Sequence, residues 1–322
     1  MTRPLLEVKN LTTRFRTERG TVTAVDGVSF HVDPGETLAI VGESGSGKSV
    51  TALSVLRLIP DPPGRIESGE ILFDGTDLIK LDDPGIRAVR GNKIAMIFQE
   101  PMSSLNPALT VGLQVAEPIN VHRGTPWAKA YDAATELIGR VRIADAASRL
   151  TSYPHQYSGG MRQRVMIAMA LACAPRLIIA DEPTTALDVT VQAQILDLLK
   201  EVTRETGSSL ILITHDLGVV ARYADRVAVM YGGRIVEVAP ARELYARPKH
   251  PYTLGLMASV PRLDRGGRRL VPIEGQPPDL ASLPPGCSFA PRCRSMIDPC
   301  RHSRPELTFV ADRHAKACFA DV

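Results

Sequence analysis

A large excess of charge of one sign is missing from this chain: 38 lysines and arginines against 35 aspartates and glutamates leave a formal net charge of +3 over 322 residues. The strong basic excess expected of a general nucleic-acid binder is lacking, and partners are not legible from charge. Long apolar runs are missing as well. None approaches the roughly 18 residues that suggest a membrane span, and the opening M-T-R-P-L-L-E-V-K has no apolar signal-peptide core. The expectation is a chain that stays in the cytoplasm. Cysteine is scarce, yet four of the five, Cys287, Cys293, Cys300 and Cys318, fall in the last 36 positions, and only Cys173 lies elsewhere. In a reducing compartment such clustering points to metal before disulfides. What remains is 44% hydrophobic and 23% charged, long enough for two ordinary domains or one large one with an appendage.

Against these absences stands one dense stretch. From Leu38 the text runs L-A-I-V, then G-E-S-G-S-G-K-S, then V-T-A-L-S-V-L-R-L: an apolar strand, a glycine-rich loop and a helix-compatible segment. Gly42, Gly45 and Gly47 let the backbone turn its N–H groups inward, and the loop of Gly42, Ser44, Gly45, Ser46, Gly47, Lys48, Ser49 and Val50 can wrap a phosphate. Lys48 would reach the terminal phosphates of a nucleotide, the Ser49 hydroxyl would hold Mg²⁺, and the helix N-terminus adds its dipole. A loop of this kind says nucleotide binding and leaves switch, motor, kinase and transporter subunit open.

The flanking chain supplies candidates of unequal weight. Residues 5–32 read as strands ending at the turn Asp33-Pro34-Gly35-Glu36, and Phe15 within them is either a base-stacking aromatic or a core or edge residue. G-R-I-E-S-G-E-I-L-F-D-G-T-D-L reads as two short strands turning at Asp74-Gly75. K-I-A-M-I-F-Q-E-P is a buried strand ending in Gln99, which touches Mg²⁺ or the attacking water if it sits at a ligand edge and is otherwise a surface residue. Between Thr110 and Leu150 the apolar period changes from two to about 3.6. Ser158, Gly159 and Gly160 precede a long apolar-rich helix, either as a second phosphate contact or as a plain cap. L-I-I-A-D-E-P-T ends a buried strand in Asp181 and Glu182, placed for one carboxylate to hold Mg²⁺ and its neighbour to polarise water. T-A-L-D leads to Asp188 and a helix; S-L-I-L-I-T delivers His215, either a γ-phosphate contact or a structural histidine.

The order of these pieces, from phosphate loop through S-G-G-M-R-Q-R and I-I-A-D-E-P-T to T-H-D, resembles the ATP-binding subunit of an ABC transporter over roughly 5–257. The resemblance implies an α/β fold: a P-loop ATPase core with antiparallel β subdomain (1–99 and 173–260), a helical subdomain (100–172) and a C-terminal cysteine-bearing extension (261–322). It implies ATP and Mg²⁺, with Phe15 stacking on the base, Ser158 to Met161 as the signature, and Asp181 and Glu182 as the Walker B pair. Gln99 becomes the Q-loop residue, Asp188 the D-loop residue and His215 the switch histidine. Mg²⁺ falls to Ser49, Gln99 and Asp181, and catalysis to Glu182, His215 and Gln99. The signature departs from the commonest L-S-G-G-Q in Tyr157 and Met161, while the serine and both glycines remain. Family members work as dimers, each ATP lying between one P-loop and the partner's signature.

The tail carries the cargo inference. After G-Q-P-P-D-L-A-S-L-P-P-G, a proline-rich linker or wrap, comes Cys287-x₅-Cys293-x₆-Cys300-x₁₇-Cys318. With H-P-Y-T at His250 to Thr253 this is similar to the C-terminal region of the dipeptide, oligopeptide and nickel branch of ABC importers. Four thiolates can hold a [4Fe-4S] cluster or a tetrahedral zinc, or stay free. The gaps exceed the C-x₂-C pairs of zinc ribbons, and the branch is associated with an iron-sulfur cluster in some members, so [4Fe-4S] is the expectation. Cys173, in the apolar helix that follows S-G-G-M-R-Q-R, reads as a small buried hydrophobe. The implied assembly is a second ABC ATPase subunit, forming a heterodimer, two transmembrane permeases and an extracytoplasmic solute-binding protein, with no nucleic acid, at the cytoplasmic face of the membrane. The alternatives are nickel or another small solute as cargo, or a soluble non-transport ATPase acting on DNA or the ribosome.

Overall fold

The computed structural model describes residues 3–18, 20–185, 187–259 and 272–322. The expected start of the extension at 261, and Ala186 of the A-L-D run, lie outside the described residues. In chain order the strands are β1 (Leu6–Thr17), β2 (Gly20–Val32), β3 (Thr37–Val41), β4 (Gly64–Phe73), β5 (Thr76–Asp77), β6 (Ile94–Ile97) and β7 (Leu177–Asp181). There follow β8 (Ser209–Thr214), β9 (Arg226–Tyr231), β10 (Arg234–Pro240), β11 (Thr308–Ala311) and β12 (His314–Lys316). Contacts divide the chain into two units: Met1–Asp33, Thr37–Lys80 and Ile213–Val322 form the first, Pro34–Glu36 and Leu81–Leu212 the second.

In the first unit β2, β1, β4 and β5 make an antiparallel sheet in that order. β1 buries Leu6 and Val8, then Leu11 and Thr13 after a register shift, the alternation that gives one face to the core. The β4–β5 turn has positive φ at both central residues, 49° at Asp74 and 80° at Gly75, as a two-residue hairpin requires and as the Asp-Gly pair predicts. β3 is a different kind of strand. Leu38, Ala39, Ile40 and Val41 are all buried, and it runs parallel to β9; a strand covered on both faces needs an unbroken apolar run instead of alternation.

The C-terminal residues join the same unit through β10. β12 pairs antiparallel with β10 at Glu237↔Lys316 and Val238↔Ala315, and β11 pairs with β12. Glu237 is fully buried, which would be costly for a lone carboxylate. It is met by His314 Nε2–H at 2.7 Å and by the backbone N–H groups of Lys249 (2.6 Å) and His250 (3.1 Å). One acidic residue thus ties β12 and the H-P-Y-T segment to the same strand. Phe289 completes the join. It is buried against Tyr231, edge-on with centroids 5.2 Å apart, and against Tyr252 at 5.4 Å, a burial that contributes roughly 2–3 kcal/mol.

In the second unit β6 and β7 run parallel. The helix Trp127–Arg140 buries Ala130, Ala134 and Ile138, one stripe at i, i+4 and i+8. Helix Val111–Arg123, where the change of period predicts one, and helix Gly159–Leu171 pack against it. Cys173 lies two residues beyond the helix Gly159–Leu171, not inside it; it is buried, and its thiol donates to the Pro118 carbonyl at 3.3 Å. That placement agrees with a packing role. No described helix is long and apolar enough to cross a membrane.

Candidate functional site

The phosphate loop leaves β3 in the first unit and enters the helix Lys48–Val55. Two glycines are required by space as well as by backbone angle. At Gly42 (φ 156°) a Cβ would run into the Met230 carbonyl, and at Gly47 (φ 101°) it would lie 2.5 Å from the Ala24 carbonyl oxygen. Gly45 (φ 78°) faces open space, and Ser44 beside it is exposed. The Lys48 ammonium donates to the carbonyls of Gly42 (2.8 Å) and Glu43 (2.9 Å), folding back over the loop. Among the described residues Ser46 Oγ is buried with no hydrogen-bond partner. An orphaned buried hydroxyl in a loop whose walls would collide with a Cβ at Gly42 or Gly47 fits an anion that enters and supplies the missing acceptor. Ser49 and Val50 are half-buried in the first helical turn.

Elsewhere in the first unit Phe15 sits on β1 opposite Gly64. A Cβ at Gly64 would come within 2.5 Å of the ring edge, and the ring is half-buried. Packing and stacking are therefore compatible for Phe15. His215 follows β8 and is exposed, while Asp216 caps the next helix by accepting from the N–H groups of Gly218 (2.7 Å) and Val219 (3.3 Å).

The second unit holds the carboxylates. Asp181 ends β7 buried, and Glu182 follows with φ 44°. A left-handed backbone is uncommon for a side-chain-bearing residue and collects at functional sites. Glu182 Oε2 accepts from Gln99 Nε2 at 3.2 Å and from Thr185 Oγ at 3.0 Å. Gln99 and Glu182 leave the ends of the adjacent parallel strands β6 and β7, the strand edge where such sheets place ligands. The sequence singled out Gln99 and Glu182 separately; their hydrogen bond and the role of Thr185 come from the fold.

Ser158 and Asp188 prove to be helix caps. Ser158 Oγ accepts from Met161 N–H (3.3 Å) and Asp188 Oδ1 from Val191 N–H (2.9 Å). At Gly160 a Cβ would lie 2.8 Å from Val191 Cγ1. Gly160 thus packs closely against the neighbouring helix. The expected Mg²⁺ ligands are divided, Ser49 in the first unit and Gln99 and Asp181 in the second.

All four tail cysteines, Cys287, Cys293, Cys300 and Cys318, line one cavity in the first unit, with Phe289 and Phe319 in its wall. The thiols of Cys287, Cys293 and Cys318 are each pushed up by burial. Such thiols stay protonated unless a cation takes the place of the protons. Among the described residues no three His, Cys, Asp or Glu side chains are gathered as a single metal ion requires; one tetrahedral zinc would draw four sulfurs to about 3.8 Å of one another. The four thiols share one small, largely apolar cavity.

Sequence reasoning missed two residues that reach the loop, Arg292 and Tyr252. Arg292 lies in A-P-R-C and Tyr252 in H-P-Y-T, and nothing in their spacing marks them as neighbours of Glu43.

Two family models match different stretches of the chain. The ABC transporter family model matches residues 25–185, and the model described as oligopeptide/dipeptide transporter, C-terminal region, matches 236–300. The dipeptide transport ATP-binding protein DppD of Bacillus subtilis is 53% identical, covering 98% of this chain and 94% of its own. The oligopeptide transport ATP-binding protein OppD of Bacillus subtilis is 52% identical, covering 96% and 87%. Among solved structures, the dimeric post-hydrolysis state of the ATP-binding cassette MJ0796 bound to ADP and Pi is similar at a TM-score of 0.66 and 30% identity, over 74% of this chain and 99% of that one.

Proposed function

The chain belongs to the ABC transporter ATP-binding family, and from that premise we propose that it is the ATP-hydrolysing subunit of a bacterial importer for peptides. One observation carries the reading: a P-loop cassette and a region matching the oligopeptide/dipeptide transporter C-terminus occur in a single chain. The roles follow from the residues. Lys48, with the loop N–H groups and the helix N-terminus, binds the terminal phosphates, and Ser46 supplies a hydroxyl. Phe15 stacks on the base, and Ser49, Asp181 and Gln99 hold Mg²⁺, which when bound neutralises charge on the phosphates. Glu182 orients and polarises the attacking water, and its bonds to Gln99 and Thr185 keep that carboxylate aimed. His215 contacts the γ-phosphate.

Ser158, Gly159 and Gly160, with Asp188 nearby, serve the ATP of a second ABC ATPase subunit, so that ATP closes the pair and hydrolysis releases it. The functional division is threefold: 1–99 with 173–260, then 100–172, then 261–322. Two permeases and an extracytoplasmic solute-binding protein complete the assembly, which puts the chain at the cytoplasmic face of the membrane. Cys287, Cys293, Cys300 and Cys318 would hold a [4Fe-4S] cluster whose contribution is a structural cross-link of the extension.

The test is Glu182→Gln in the complex with its permeases. ATP binding is expected to persist while hydrolysis and peptide uptake fall by at least about a hundredfold, the scale of losing a general base. Turnover close to wild type would remove Glu182 from that role, and ATP-driven uptake of nickel with none of peptide would overturn the cargo.

A further inference from the structure

The loop residue Glu43 is held from the C-terminal region of its own unit by every polar group that it has except its carbonyl. Its carboxylate accepts two parallel bonds from Arg292, Nη1 to Oε2 at 2.6 Å and Nη2 to Oε1 at 3.0 Å. Its backbone N–H donates to the Tyr252 hydroxyl at 2.8 Å. The carbonyl accepts from Lys48 Nζ at 2.9 Å. Glu43 is therefore a joint between the phosphate-binding lysine and two residues that the cassette motifs do not include.

Arg292 is built for this position. Its side chain is 6% exposed. Nε donates to the Glu274 carbonyl at 2.9 Å, Nη2 to that of Ile273 at 3.4 Å, and Nη1 also to Tyr231 Oη at 3.3 Å. The guanidinium fork is thus aligned before it meets the carboxylate, and little rotamer freedom is lost in the pairing. The Glu43 hydrogen bond pushes its pKa further above the ordinary value. The backbone under it is equally fixed. Arg292 ends the turn Ala290–Arg292, with Ala290 N–H donating to the Cys287 carbonyl at 3.0 Å and Cys293 N–H to the Ala290 carbonyl at 3.2 Å. Two of the cavity's cysteines bracket the residue that grips the loop.

We propose that Arg292 is a positioning residue for ATP: through Glu43 it sets the mouth of the P-loop and the carbonyl on which Lys48 rests, so the C-terminal extension contributes to nucleotide affinity. The inference rests on the reading that this loop binds ATP. Arg292 touches no phosphate itself. Its loss should weaken binding of substrate and transition state alike, raising the KM for ATP with little change in kcat.

The experiment compares full-length wild type, Arg292→Gln, Arg292→Lys, Glu43→Gln and the Arg292→Gln/Glu43→Gln double variant in the assembled complex, reading ATP KM, kcat and thermal midpoint. Arg292→Gln is expected to raise KM roughly tenfold, the scale of losing a charge-assisted pair, with kcat within about twofold of wild type. Arg292→Lys should fall between, because a point charge replaces a fork. The double variant should be no worse than the poorer single one, since both remove the same interaction. A KM for Arg292→Gln within about twofold of wild type, additive single effects, or a fall in kcat that tracks the thermal midpoint would overturn it. If Arg292→Gln does not fold, Glu43→Gln and Arg292→Lys carry the same test from the loop side and with the charge kept. Lys48→Ala in the same assay separates the two readings: ATP binding that survives it defeats the loop assignment, whereas its loss alongside an unchanged Arg292→Gln defeats only the inference about Arg292.

Discussion

The phosphate loop and the cysteine cavity belong to the same unit and are made in opposite ways. The loop is contiguous, eight residues from Gly42 to Ser49, and its walls are backbone: the Met230 and Ala24 carbonyls stand where a Cβ at Gly42 or Gly47 would go. The cavity is assembled from side chains between His250 and Phe319, and it depends on β12 reaching β10. The turns of such a loop are written in consecutive letters, because local sequence controls local dihedral angles, although the carbonyls that wall it come from Ala24 and Met230. A site made of side chains needs only that the fold return each to the same place. The first kind fails sharply at single positions and the second gradually.

The largest expected effect tests the backbone half of that contrast. Gly47→Ala meets both a positive φ and the Ala24 carbonyl at 2.5 Å, with backbone on both sides of the clash. ATP affinity should fall by at least about a hundredfold, since the loop must distort and strained φ alone costs about 1–2 kcal/mol. Gly45→Ala carries the φ penalty with open space around it and should cost about tenfold by the same reckoning. Equal effects measured by ATP titration would mean that space around the loop does not matter, and the contrast with the cavity would lose its basis.

The next effect tests the side-chain half. Protein purified without oxygen should contain about four iron atoms and matching sulfide per chain if the cysteines hold a cubane cluster. Cys300→Ser should reduce the iron to background. Cys173→Ser should leave it unchanged, because that thiol is buried in the second unit and donates to Pro118. Stoichiometric zinc with no iron, by metal analysis of the same preparation, would replace the cluster with a single ion and require the four sulfurs to close in on one point.

How much could be read in advance follows the same line. The strand, loop and helix around Lys48, the turn at Asp74-Gly75, the cap at Ser158 and the helix start after Asp188 were legible, since each is governed by residues within a few positions. Asp181 and Glu182 were legible as a pair at a strand end. The Gln99–Glu182 bond joins residues 83 positions apart, and Arg292 with Glu43 spans 249. No local pattern encodes such distances. Glu237 was invisible for another reason: a glutamate in R-I-V-E-V-A looks like the solvent face of an alternating strand, yet it is fully buried because β12 and the Lys249–His250 backbone supply donors. That satisfied carboxylate ties the tail's β12 to β10.

The smallest expected effect lies in a third long-range pairing of the first unit. His31 is half-buried on β2, and the buried Arg226 at the start of β9 donates to its ring nitrogen Nε2 at 2.6 Å and also to its backbone carbonyl. Burial lowers the His31 pKa below 6.5, Arg226 and Arg313 lower it further, and Asp33 and Glu7 act in the opposite sense. A histidine held neutral in the fold binds its proton more readily in the unfolded chain, so the stabilisation is complete above pH 6.5 and is lost as the pH falls through the folded value. The thermal midpoint should therefore drop between pH 7.5 and 5, and His31→Gln, which can still accept from Arg226 but does not titrate, should flatten some of that drop. ATP binding at pH 7.5 should be unaffected by the substitution, since His31 contacts neither the loop nor the cysteines. A pH profile identical in wild type and His31→Gln would show that the Arg226 pairing adds nothing beyond packing, and would leave the loop and the cavity as the places where this unit's chemistry resides.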